Sequence, residues 1–108
     1  MEERIIQAFI AAFQPRFNAI MNGLGNHIHR IDISIVNQQM IRAYAECIVT
    51  IAEERELDTD MEVVFTQPRA QGRISYGLYL KMQTYATYSD YSQQLFERIQ
   101  ELNTKQDE

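Results

Sequence analysis

From Arg73 to Tyr88 hydrophobicity alternates with a period of two, and this run constrains the fold more than any other segment. Ile74, Tyr76, Leu78, Leu80 and Met82 fall on one side; Arg73, Ser75, Gly77, Tyr79, Lys81 and Gln83 fall on the other. A strand turns successive side chains to opposite faces, so the pattern predicts a long β-strand with one face on a core. The competing reading makes Gly72 to Leu102 a single helix, within an all-α bundle that ends on a long C-terminal helix. That helix would enclose Gly77 and a run of Tyr, Thr and Ser, all poor helix formers, and the strand is preferred on that ground.

The remaining segments are then placed around this strand. Ile6, Phe9/Ile10, Phe13, Phe17, Ile20 and Leu24 recur at spacings of three and four, one stripe of an amphipathic helix that stays in phase across Pro15. Pro15 removes a hydrogen bond to the carbonyl of Ala11 and predicts a kink. Gly23 after Asn22 predicts a left-handed cap. Arg30 to Ile35 alternates polar and β-branched residues and is read as a short strand, with Asp32 or Ser34 as helix N-caps in the alternative. From Val36 to Leu57 the period turns helical, with Val36, Met40, Tyr44, Cys47 and Ile51 in one stripe that Ile41, Ile48 and Ala52 widen. Such breadth predicts a helix packed on more than one neighbour. Met61 to Thr66 is a further strand, joined to the long one through Gln67 to Gly72. Asp90 with Gln93 resembles a capping box, and Tyr91, Leu95, Ile99 and Leu102 make a closing helix. The order is α-β-α-β-β-α: an α+β domain over residues 1–102 with helices on one face of a small sheet, and a frayed polar tail at 103–108.

The chain of 108 residues should bury roughly 65% of its unfolded surface, enough for one core without metal or disulfide staples. Cys47 has no second cysteine to pair with, which points to a reducing compartment, and its apolar neighbours predict a buried, inert thiol. No secretory signal and no run of membrane-spanning length is visible, so cytoplasmic residence is expected.

Catalytic constellations are missing from the sequence. There is no G-x-S-x-G, no S-x-x-K and no local Cys-His signature. His27 and His29 would point the same way in an extended segment, as two imidazole ligands of a metal do, but a third ligand is not evident and a helix cap with a polar loop is the simpler reading. The chain is therefore expected to be non-enzymatic and to need no cofactor.

One charge pattern stands out. Six acids lie between Glu53 and Glu62 against the single Arg55, whereas Phe65 to Ser89 has no acid and carries Arg69, Arg73 and Lys81. On the strand reading, Arg73, Tyr79, Lys81 and Tyr85 share one polar face, with Arg69 just before it. Tyr and Arg anchor protein interfaces, so a protein-interaction or self-assembly module is expected, an adaptor, an inhibitor or a subunit of a larger particle, most simply a homo-oligomer. Single-stranded nucleic acid is the alternative partner, with Tyr rings stacking on bases, and the net charge of −5 opposes it. A small metal-dependent enzyme using His27 and His29 ranks third.

Overall fold

A computed structural model describes residues 2–54 and 76–106. It contains three helices: α1 (Glu2–Leu24), α2 (Ile33–Glu54) and α3 (Tyr76–Gln106). Among the described residues there is no strand, and the expected α+β fold gives way to an all-α bundle. The strand at Met61 to Thr66, Arg69 and Arg73 lie outside the described residues.

Two of the sequence expectations hold closely. Phe9, Phe13, Phe17 and Leu24 of the first stripe are buried, with Ile5 joining them, and α1 runs through Pro15. Beside that proline, Arg16 donates to the carbonyl of Ala12 at 2.6 Å and reaches Glu46 of α2 at 3.3 Å. The helix ends one residue past Gly23, and no left-handed glycine closes it. Instead the amides of Gly25, Asn26 and His27 donate back three residues, to Asn22, Gly23 and Leu24, so the last turn tightens and releases the chain. In α2, Val36, Met40, Tyr44, Cys47, Ile48, Ile51 and Ala52 are all buried, between α1 on one side and α3 on the other. That accounts for the breadth of the stripe, except that Ile41, expected to widen it, is exposed.

The first strand expected, Arg30 to Ile35, is a loop end followed by a helix start. Asp32 is the N-cap: its carboxylate accepts from the Ser34 amide at 2.9 Å and the Ser34 hydroxyl at 2.7 Å, while its carbonyl accepts from the Val36 amide. Helical rotation from Ile33 onward splits the alternating isoleucines. Ile31 is buried, Ile33 and Ile35 are exposed, and Val36 and Met40 take the inward positions.

The long strand is the larger correction. Leu80 is fully buried and Met82 is 59% exposed, although both were expected on one apolar face. Residues two apart sit about 200° apart on a helix, so a period-two set cannot share its inner side. The phase that wins is Leu80, Thr84, Tyr88, Tyr91, Leu95, Ile99 and Asn103, which crosses Asp90 without a break. The turns after Tyr91 give a nucleus to extend from, but the weak helix formers before Asp90 do not sustain it locally, and the burial of Leu80 and Thr84 in the bundle keeps the segment helical. The capping box at Asp90 and Gln93 is accordingly interior, and Gln93 donates to Glu97 one turn on. The polar tail shrinks as well, because α3 continues to Gln106 and Asn103 is buried.

Ring contacts give the topology. Phe13 meets Tyr88 and Phe17 meets Tyr91, so α1 and α3 run parallel. Tyr44 meets Tyr88 and Asn103 meets Ile31, so α2 runs antiparallel to α3. The result is an up-down-up bundle. At 31 residues, α3 spans the 22-residue α2 and then covers the loop between α1 and α2.

Candidate functional site

Tyr44, Thr84 and Asn103 carry polar atoms inside this bundle and act as fasteners. The Tyr44 hydroxyl reaches from α2 to the Thr84 hydroxyl at 2.7 Å and the Lys81 carbonyl at 3.1 Å; Thr84 lies 2.7 Å from the carbonyl of Leu80. Two hydroxyl protons thus serve three close contacts, and a Thr at a core position is satisfied. Burial pushes the Tyr44 hydroxyl up to about 12, with the Thr84 hydrogen bond opposing the rise. At the other end, the Asn103 amide accepts from the Ile31 N–H at 2.8 Å and donates to the Ile31 carbonyl at 3.1 Å. One side chain thereby pairs both backbone groups of one buried loop residue, groups that would be costly to leave unpaired.

Between these fasteners lies a continuous ladder of rings: Phe9, Phe13 and Phe17 of α1, Tyr44 of α2, and Tyr85, Tyr88 and Tyr91 of α3, with neighbouring centroids 4.4 to 6.4 Å apart. Burial raises the Tyr88 and Tyr91 hydroxyls, and the Tyr91 hydroxyl donates to Gln14 of α1. Cys47 is fully buried and its thiol is pushed up to about 11 by that burial, the opposite of what a thiolate nucleophile requires.

The expected binding face does not survive helix formation. At ~100° per residue, Tyr79 and Lys81 stand about 160° apart around α3, and Tyr79 packs toward the core. Lys81 and Tyr85, four residues apart, do share a side, and Tyr85 is 55% exposed next to the exposed Met82. Of the five expected residues, the structure therefore brings two together, separates Tyr79 from them, and leaves Arg69 and Arg73 outside its described residues. The flat platform on which bases would stack is lost with the sheet.

His27 and His29 are exposed on the α1–α2 loop, and among the described residues no cluster of three His, Cys, Asp or Glu side chains could hold a metal. His27 borders two shallow clefts. One, of about 320 Å³, runs between α1 and α2 past Ile20, Gly23 and Ile35; the other, of about 370 Å³, lies beside Leu102 and Lys105. Asp32 and Gln39 also line the first, and His29 and Gln106 the second.

Tyr44 already stands in the core stripe expected for α2, whereas Thr84 and Asn103 escape a strand-based reading. Their signal is the spacing of four, four, three, four, four and four from Leu80 to Asn103, visible only if a Thr and an Asn are allowed in a core stripe. No family model, curated protein or solved structure matches the chain. Among the described residues no helix is long and apolar enough to cross a membrane.

Proposed function

We propose that this chain is a non-enzymatic protein-interaction or self-assembly module that works through the outward side of α3. The observation behind this reading is the contrast between inner and outer polar chemistry. The Tyr44 and Thr84 hydroxyls join α2 to α3 and the Asn103 amide ties α3 to the α1–α2 loop, whereas apolar Met82 and the ring of Tyr85 stand open beside Lys81. Aromatic and methionine side chains on such a surface are the types that anchor protein contacts. A reducing, cytoplasmic setting suits the lone Cys47.

Light scattering across a concentration series tests the reading. The expected mass is at least twice 12.7 kDa, and Met82→Glu with Tyr85→Glu should shift it to the monomer value without lowering helix content. A mass that stays monomeric at all concentrations and salt levels would exclude self-assembly by this surface.

A further inference from the structure

The first half of α3 carries two periodicities at once. Read every third or fourth residue, it supplies Leu80, Thr84 and Tyr88 to the bundle. Read every second residue, it offers Tyr76, Leu78, Leu80 and Met82 as one uninterrupted apolar edge. From Tyr76 to Ser89 the only charged residue is Lys81, and no proline interrupts the run. Aromatic and β-branched side chains with low charge and no proline are the composition of segments that pair as intermolecular strands. Helical structure here is held by contacts from outside the segment, chiefly the Tyr44 hydroxyl on Thr84 and Lys81 and the burial of Leu80.

We propose that the native helix at 76–88 is a guarded segment: when it detaches from Tyr44, its alternating edge pairs with the same segment of a second copy of this chain. The native state is helical throughout this region, and the pairing belongs only to the detached state. The inference is independent of association through the folded surface, since it needs α3 to open first. Met82 separates the two arrangements. On the helix it points away from the bundle core, so a charge leaves the core packing intact; on the pairing edge it lies in the apolar row, where a charge blocks stacking.

The test uses the full-length protein, agitated at high-micromolar concentration in mildly destabilising urea. It is read by thioflavin T fluorescence and by the amide I infrared band of intermolecular sheet. Wild type should assemble after a lag with that infrared signature, and Tyr44→Phe should shorten the lag several-fold. Met82→Lys, which also removes an anchor of the folded surface, should suppress assembly, whereas Tyr85→Lys, which disturbs that same surface but lies off the apolar row, should assemble as wild type does. Gln94→Lys, which adds the same charge at an exposed position on the second half, should assemble as wild type does. The proposal is overturned if Met82→Lys assembles with wild-type kinetics, if Tyr85→Lys or Gln94→Lys suppresses assembly equally, or if the aggregates keep a helical amide I band. A wild-type chain that never assembles under these conditions overturns it too.

Discussion

The two halves of α3 lie on one continuous helix and are held by different chemistry. From Tyr91 to Gln106 the inward row is Leu95, Ile99 and Asn103, and Arg98–Glu101 and Lys105–Glu101 pairs lie along the outside. Good helix formers and paired charges at three and four residues give this half local support. From Tyr79 to Asp90 the fully buried residues are Leu80 and Thr84, and before Asp90 the only charge is Lys81. Thr, Tyr and Ser give little local support, so the first half is helical because α1 and α2 require it to be. One helix therefore joins a locally encoded part to a part imposed by tertiary contact.

The largest effect should come where the halves meet. Phe13 is fully buried and touches Phe9, Phe17, Tyr88 and Tyr91, so Phe13→Ala removes the anchor common to both and should cost about 3–5 kcal/mol in urea unfolding. In the second half, Asn103→Ala strands the N–H and carbonyl of Ile31 and should cost about 1–3 kcal/mol. Asn103→Asp keeps the acceptor for the N–H but sets a carboxylate against the Ile31 carbonyl, so it should not rescue.

In the first half, Tyr44→Phe should cost only about 0.5–1.5 kcal/mol, because Thr84 keeps the Leu80 carbonyl as acceptor. It carries a pH signature as well. A hydroxyl raised from 10.0 to about 12 holds its proton more tightly in the folded chain, so its contribution is complete below pH 10 and lost as pH climbs to 12. The Cys47 thiol, raised from 9.0 to about 11, adds a loss that begins earlier. Alkaline titration of stability should fall through this window, and less steeply in Tyr44→Phe.

The smallest effect is at the α2 cap. The Ser34 hydroxyl and amide hold the Asp32 carboxyl below 3.8, so its contribution is present above that value and fades as acid protonates the folded carboxylate. Asp32→Asn should keep the cap and flatten that part of the acid limb in a thermal-melt series.

Legibility in the sequence follows the same division. The stripes of α1 and α2 were readable because large apolar residues occupy nearly every inward position, from Phe9 to Leu24 and from Val36 to Ala52. The end of α3 was half readable: Leu95 and Ile99 signal a helix, but Asn103 looks like a tail until its partner Ile31 is known. The first half of α3 was not readable locally, since alternate residues suggest a strand and Thr84 hides the helical phase. What decides it is Tyr44, 40 positions away from Thr84. The expected Tyr/Arg face loses its strand geometry for the same reason: Tyr79 and Lys81 no longer share a side, and Arg69 and Arg73 lie outside the described residues.

Residue-resolved hydrogen exchange of the native chain addresses the division within α3 most directly. Amides from Leu80 to Asn103 should all be protected, in a helical rather than an alternating pattern. Protection at 80–89 should be lower than at 95–103, and Tyr44→Phe should lower the first group selectively. Equal protection in both halves, insensitive to Tyr44→Phe, would contradict a helix imposed by tertiary contact; protection alternating residue by residue through 80–88 would contradict the helix itself.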